Sequence, residues 1–157
     1  MIYLTDIFII GFTYLFIMNF ENALHKASHY KESGRLYTWH KIHHKDYPLT
    51  RLESETYIDS TGWYDNMFAI YITLTVLVFC ISSSTNRTAT IVSTEIITYS
   101  FMLDYFHQQF HLTNSRFKNF RWFQTLKRYH LTHHQQQKTN YNFFTDKVDI
   151  VWKTYSS

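Results

Sequence analysis

The sequence predicts an all-α integral membrane protein with about three membrane-spanning helices and a cytosolic, histidine-rich helical cap. Three observations support this prediction: long apolar segments, basic residues confined almost entirely to two segments, and ten histidines gathered in short motifs. A chain of 157 residues has the size of one domain, so residues 1–157 are expected to form a single unit. The single cysteine excludes a disulfide framework and a cysteine-based zinc site.

Three apolar segments are candidate membrane spans, because a spanning helix needs about 20 mostly apolar residues. They cover residues 2–20, about 63–82 and about 89–106. The first is charged only at Asp6 and the second only at Asp65, whereas the third is weaker because it contains Glu95 and Asp104. Buried helices of a soluble bundle are the alternative, but such long apolar segments in so short a chain favour the membrane. The first segment lacks a basic n-region and a cleavage site, so a retained span is expected there rather than a signal peptide.

The basic residues predict the orientation of these spans. Of fifteen Lys and Arg residues, fourteen lie in residues 26–51 or 116–153, and Arg87 is the exception. The positive-inside rule therefore places both segments in the cytosol and the 83–88 loop on the opposite side. The second and third spans then form a hairpin that returns the chain to the cytosolic face. If the chain is eukaryotic, we expect it in the endoplasmic reticulum membrane.

All ten histidines fall into two pairs of motifs. "HKASH" and "HQQFH" follow the pattern HxxxH, and "HKIHH" and "HLTHH" follow the pattern HxxHH. Positions i, i+3 and i+4 share one face of a helix, so each motif directs its imidazoles to one side. Neutral imidazole is the commonest protein ligand for metals and suits iron, zinc, copper and nickel. The predicted metal ligands are His25, His29, His40, His43, His44, His107, His111, His130, His133 and His134.

The order of these motifs, interleaved with apolar spans, resembles the fatty acid hydroxylase/sterol desaturase superfamily of integral-membrane di-iron oxygenases. The resemblance runs from about Leu24 to the C-terminus and is most specific in "LKRYHLTHHQQQKTNYNFFTDKVDIVWKT". Asn142 stands where the family usually has glycine, and Lys153 where a glycine commonly precedes Thr154. The segment "PLTRLESETYIDS" also lacks the frequent His-Pro-x-Glu, and three clear spans are found where four are common.

The resemblance implies O2-dependent hydroxylation or desaturation of a C–H bond in a fatty acyl, sterol or related lipid. It implies two iron ions as cofactors, for which zinc can substitute, O2 as co-substrate, and no catalytic residue beyond the metal ligands. A carotenoid is an alternative substrate. No haem-binding or flavin-binding domain fits in this length, so the electrons are expected from an external donor. In the superfamily this donor is cytochrome b5 with its reductase, or a ferredoxin.

Three carboxylates are predicted to support the metal ligands, because a metal-bound histidine usually donates its second N–H to a carboxylate or carbonyl. Asp104 precedes His107 by three residues, and Glu21 precedes His25 by four. Asp149 matches a late aspartate of the family and is predicted to brace the final histidine motif.

Two other classes of function stay open at this stage. A histidine-rich membrane metal transporter is one, although every histidine lies outside the predicted spans. A family member that has lost catalysis and serves as a scaffold is the other, although all ten ligands are present. A basic and aromatic segment at 116–127 is expected to lie on the membrane. No nucleic-acid-binding module accompanies it, so no nucleic acid partner is expected. The oligomeric state is left open.

Overall fold

The fold is taken from a computed structural model that describes residues 3–61, 73–75, 77 and 86–157. Its named α-helices are α1 (Leu4–Ala27), α2 (Arg35–Asp46), α3 (Arg87–Phe110), α4 (Arg121–Gln135) and α5 (Lys147–Trp152). A 3₁₀ turn at Lys31–Ser33 and an isolated parallel bridge between Ser54 and Leu112 complete the regular structure, and no strand occurs within these ranges. The all-helical prediction is therefore confirmed. The predicted span 63–82 lies largely outside the described residues.

Helix α1 has the length and composition of a membrane span. Its 24 residues extend over about 36 Å, enough to cross a hydrocarbon core of about 30 Å. Among the described residues it is the one helix long and apolar enough for this. Large apolar side chains on its outer face are more than half exposed: Leu4, Ile7, Phe8, Phe12, Leu15 and Phe16. A face of this kind suits contact with lipid and is unusual on a water-soluble monomer.

Helix α3 contains the predicted span 89–106 but lacks the composition of α1. It has the same length of 24 residues, and it carries Arg87, Glu95 and Asp104 among its apolar side chains. The part of the chain that the structure describes therefore contains one candidate span rather than three. The cytosolic position of the cap stays a prediction.

Helices α1 and α3 pack side by side and run in the same direction. At their first turns, Arg87 Nε and Nη2 donate to Asp6 Oδ1 and Oδ2 at 3.0 and 2.7 Å. Farther along both helices, the Tyr99 hydroxyl donates to Glu21. The HxxxH motifs, which begin in the last turns of both helices, therefore lie at the same end. A buried cluster joins this end to the cap: Ile17, Met18, Ile96, Tyr99, Leu103, Phe110, Phe123 and Phe143.

The shorter helices form the cap at this end. Helix α2 begins after Gly34, whose φ of +60° lies in the region that favours glycine. Helix α4 is amphipathic, and its buried side chains are Phe123, Lys127, His130, His133 and His134. Helix α5 contacts α1, where Trp152 Nε1 donates to Asn19 Oδ1 at 3.0 Å. The cap thus presents α2 and α4 to the ends of the two long helices.

Candidate metal centre

The structure brings all ten histidines into one cluster at the end of α1 and α3. Eight of them form two groups, and within each group the possible ligand nitrogens all lie within 4.8 Å of one another. The first histidine group is His25, His29, His40 and His133. The second histidine group is His43, His107, His111 and His130. Each group has the residue type and the convergence needed to hold a metal ion.

The two remaining histidines adjoin these groups. His44 Nε2 lies 2.9 Å from His40 Nε2, so His44 extends the first group. His134 Nε2 lies 3.0 Å from His43 Nε2, so His134 extends the second. The rings of His44 and His134 are 4.3 Å apart between centroids, which places them where the two groups meet.

Neither group is complete within one half of the sequence. His133, from the last motif, lies 3.1 Å from His25 and 3.2 Å from His29, measured between Nε2 atoms. Conversely, His43, from the second motif, lies 3.0 Å from His107 Nε2. Each group therefore takes three histidines from one half and one from the other. The two halves interlock through α2 and α4.

The spacing of the Nε2 atoms suits ligands of a common ion. Neighbouring Nε2 atoms in the cluster lie 2.8–3.2 Å apart. Two nitrogens at right angles around a metal, each about 2.1 Å from it, are about 3 Å apart. The observed distances therefore match adjacent positions of one coordination sphere.

Backbone carbonyls fix the rings of four histidines through their Nδ1 atoms. The pairs are His25 with Tyr141 at 2.6 Å, His133 with Thr139 at 2.7 Å, His111 with Leu52 at 2.8 Å and His134 with Tyr47 at 3.3 Å. Because a carbonyl oxygen only accepts, Nδ1 must carry the proton and Nε2 the lone pair. Four rings are therefore held in the tautomer that binds a metal through Nε2.

The pair His25 and His133 shows what this tautomer requires. Both Nδ1 atoms donate to carbonyls, so the two Nε2 atoms face each other with lone pairs at 3.1 Å. In the neutral state neither can donate a hydrogen bond to the other. A cation between them would convert this repulsion into two ligand bonds. The geometry of the donor set therefore fits a metal ion.

Burial keeps the cap histidines neutral. It lowers the pKa of His29 to about 4 and that of His44 to about 3. Burial likewise lowers the pKa of His111 to about 4, although the hydrogen bond to Leu52 opposes the shift. The pKa values of His40, His43, His130, His133 and His134 also fall below the usual value because of burial. Neutral imidazole is the form that binds a metal.

Asp149 supports the first histidine group through the backbone. It is 1 % exposed, and its Oδ1 accepts from the Tyr141 amide at 2.9 Å, while the Tyr141 carbonyl accepts from His25. The same carboxylate accepts from Asn22 Nδ2 at 3.0 Å and from Thr154 Oγ1 at 2.7 Å. Asp149 thus holds the closing segment (residues 139–145) in the position that orients His25.

Glu21 attaches the closing segment to α1. It is fully buried, and it accepts from the Phe143 amide at 2.7 Å and from the Tyr99 hydroxyl. Asn142 Nδ2 donates to Glu21 Oε2 at 3.2 Å and to the Met18 carbonyl at 2.9 Å. A glycine at position 142 could not form these two bonds, so this chain has its own attachment between the closing segment and α1.

A different segment holds the second histidine group. Residues 47–54 supply the carbonyls that fix His111 and His134, and the Ser54 amide donates to the His111 carbonyl at 2.9 Å. Lys127 is 8 % exposed and donates to the Glu53 carboxylate and to the Leu112 carbonyl, the latter at 2.8 Å. The sequence did not predict this bracing segment, because any residue can supply a backbone carbonyl.

Asp104 has a different partner from the one predicted. Its Oδ2 accepts from Gln108 Nε2 at 2.9 Å, one turn farther along α3, rather than from the ring of His107. His107 at i+3 and Gln108 at i+4 both lie on the helix face that this carboxylate can reach. A role of Asp104 at the metal centre stays a prediction.

Phe143 closes the apolar side of the cluster. Its ring centroid lies 5.3 Å from that of His25 and 5.0 Å from those of His107 and His130. The residue is 4 % exposed, so it contacts both histidine groups from the interior of the protein. Sequence reasoning missed this role, although the place of Phe143 in the closing segment was a usable signal.

The chain matches the sequence model of the fatty acid hydroxylase family over residues 10–154. It therefore belongs to this family, within the superfamily of histidine-motif di-iron lipid oxygenases, and the predicted resemblance is confirmed. The family consists of membrane-associated, lipid-related oxidoreductases that use metal ions. Neither a curated protein nor a solved structure matches the chain.

Proposed function

We propose that the chain is an O2-dependent, non-haem di-iron lipid hydroxylase or desaturase. The observation that carries the proposal is the pair of histidine groups, each drawn from both halves of the chain and directed inward through Nε2. Two iron ions held there would activate O2, which with two electrons from an external donor would oxidise an unactivated lipid C–H bond. Zinc can occupy the same ligands, because imidazole suits both metals.

All ten histidines have a place in this proposal. One ion would be held by the first group with His44, and the other by the second group with His134. This division would give five histidines to each ion, so an ion that takes six ligands would keep one position for O2 or water. The carbonyl bonds to Nδ1 keep four rings oriented, and Phe143 keeps water away from the apolar side.

The membrane supplies the substrate in this proposal. A fatty acyl chain or a sterol dissolves in the bilayer that α1 would cross, and the histidines lie at the end of that helix. A carotenoid is the alternative substrate. A metal transporter needs ligands along its spans, whereas the histidines of the described helices lie at or beyond the ends of α1 and α3. This distribution favours the oxidoreductase.

Electrons would enter from the outer face of α2. His40 and His44 are partly exposed on α2, and His29 beside them is partly exposed as well. Lys41 and Lys45 are exposed on the same helix. An electron carrier with an acidic surface, such as cytochrome b5 or a ferredoxin, would be attracted to this basic edge. The positive-inside rule places this face in the cytosol, on the endoplasmic reticulum membrane if the chain is eukaryotic.

The test is expression with a compatible electron donor, followed by mass spectrometry of the extracted lipids. We expect a lipid that gains one oxygen atom or loses two hydrogen atoms, and that disappears without O2 or in the His133→Ala variant. Labelled O2 distinguishes the two outcomes, because only hydroxylation retains the label in the lipid. Iron-loaded protein that changes no lipid in the presence of a working donor and O2 would contradict the proposal.

A further inference from the structure

A groove between α1 and α3 leads towards the metal centre. Its volume is 610 Å³, within the range of about 300–1,000 Å³ that is usual for small-molecule sites. Most of its lining is apolar, and the principal side chains are Ile10, Tyr14, Met18, Tyr99, Met102 and Phe144. These residues belong to the two long helices and to the closing segment. The groove therefore has the shape and chemistry to hold the apolar body of a lipid.

The inner end of the groove lies next to the histidines. Phe144 lines the groove and packs against Tyr99 with 5.3 Å between ring centroids. The adjacent residue, Phe143, contacts the rings of His25 and His107. Adjacent residues of the closing segment thus connect the two sites: Phe144 lines the groove, and Phe143 contacts both histidine groups.

Glu95 is the charged side chain in the lining of this groove. Its Oε2 atom is buried and has no hydrogen-bond partner among the described residues. A buried acceptor without a partner is destabilising, and more so when the acceptor is charged. Thr94 and Thr98 line the groove beside it and make this part polar. The groove is therefore apolar along most of its length, with a hydrogen-bond acceptor at one place.

We propose that the groove binds a lipid bearing a hydroxyl group, which donates to Glu95 while the apolar body lies along α1 and α3. A carboxylate or phosphate headgroup is unsuited to this position, because it would place an anion against Glu95. Helix α3 rises 1.5 Å per residue, so Glu95 lies about 18 Å from His107. The end of the lipid remote from its hydroxyl group is then the end that reaches the histidines. The assignment of this lipid as the substrate rests on the proposed function.

Photo-crosslinking of the purified, metal-free protein in phosphatidylcholine nanodiscs tests the proposal without turnover. The probes are hexadecanol and hexadecanoic acid, each with a diazirine in the chain, and peptide mass spectrometry locates the labels. We expect the alcohol to label residues of α1 and α3 around Met18 and Met102, and the acid to label them about tenfold less. Loss of the hydrogen bond in Glu95→Leu should weaken labelling by the alcohol about tenfold or more.

Three further variants separate recognition from folding. Glu95→Gln keeps an acceptor and removes the charge, so it should retain the alcohol and admit the acid. Thr98→Phe fills the groove and should prevent labelling by both probes. Glu55→Gln, which changes an exposed carboxylate outside the groove, should label as the unmodified protein does.

Equal labelling by alcohol and acid, unchanged labelling of Glu95→Leu, or labelling that survives Thr98→Phe would overturn the proposal. A protein that binds the alcohol in the groove but oxidises no lipid when loaded with iron would retain this inference and contradict the proposed function. Oxidation of a lipid without labelling of the groove would do the reverse.

Discussion

The two histidine groups have similar ligands but are braced by different parts of the chain. The closing segment (residues 139–145) fixes the first group through the carbonyls of Thr139 and Tyr141, and Asp149 and Glu21 hold that segment. Residues 47–54 fix the second group through the carbonyls of Tyr47 and Leu52. This segment is held by the β-bridge between Ser54 and Leu112, just after α3, and by the bond from Lys127 to Glu53. A shared metal centre thus depends on two separate sets of hydrogen bonds.

The difference shows how each brace resists disruption. Asp149 is almost fully buried and accepts bonds from four groups, so its loss leaves several donors without partners in the interior. Glu53, the partner of Lys127, has a side chain that is 35 % exposed, so water can replace part of that bond. We call the closing segment with Asp149 and Glu21 the first brace, and residues 47–54 with Lys127 the second brace. We expect the first brace to be more sensitive to substitution than the second.

The largest expected effect is that of Asp149→Ala. The amides of Tyr141 and Asn142 lose their acceptor, and each buried donor without a partner costs about 1–3 kcal/mol. We expect the free energy of unfolding to fall by about 3 kcal/mol or more, and faster hydrogen exchange in residues 139–145. Chemical denaturation and hydrogen–deuterium exchange measure both. Asp146→Ala is the control, since this partly exposed carboxylate bonds only to Tyr129 among side chains of the described residues. Equal losses in both variants would contradict the role of Asp149.

A smaller effect is expected for Lys127→Met. The substitution keeps the apolar stem of the side chain but removes the bonds to Glu53 and to the Leu112 carbonyl. The expected loss of stability is about 1–3 kcal/mol, with faster exchange in residues 47–54 and little change in residues 139–145. Lys118→Met, at an exposed position, serves as the control. Exchange that rises equally in both segments would show that the two braces are not separate.

The smallest expected effect on the metal centre is that of Arg87→Ala. This arginine pairs with Asp6 at the first turns of α1 and α3, at the opposite end from the histidines. We expect a lower melting temperature with the metal content per chain unchanged, as measured by elemental analysis. The matched control is Arg116→Ala at an exposed position. Loss of metal from Arg87→Ala would show that the metal centre depends on contacts at the far end of α1 and α3, and not only on the two braces.

Much of the ligand set could be predicted because it depends on helical periodicity. The spacing of i, i+3 and i+4 in "HLTHH" directs three rings to one side of α4, and His130, His133 and His134 are all buried there. Asp149 is buried and bonds to the closing segment, whose Tyr141 carbonyl orients His25. Its predicted support of the final histidine motif stays a prediction. Apolar composition predicted a span at residues 2–20, and α1 covers Leu4–Ala27, seven residues beyond the end of that prediction.

The second brace could not be predicted, because a backbone carbonyl has no sequence signal. Leu52 and Tyr47 fix the two histidines through main-chain oxygens, which every residue type carries. The partner of Asp104 was also ambiguous, since Gln108 and His107 both lie within one turn of it on α3. Periodicity identifies the face of a helix, but it does not choose between neighbours on that face.

The central claim is that each metal site needs histidines from both halves of the chain. Metal analysis of purified His43→Ala and His133→Ala tests it most directly, with iron or zinc supplied during loading. His43 belongs to the first half but to the second group, and His133 to the second half but to the first group. We expect about two metal ions per chain in the unmodified protein, with loss of metal from the second group in His43→Ala and from the first group in His133→Ala. The opposite result would contradict this claim. In that case His43→Ala would lose the metal near His25, His29 and His40, while the metal near His107 would remain.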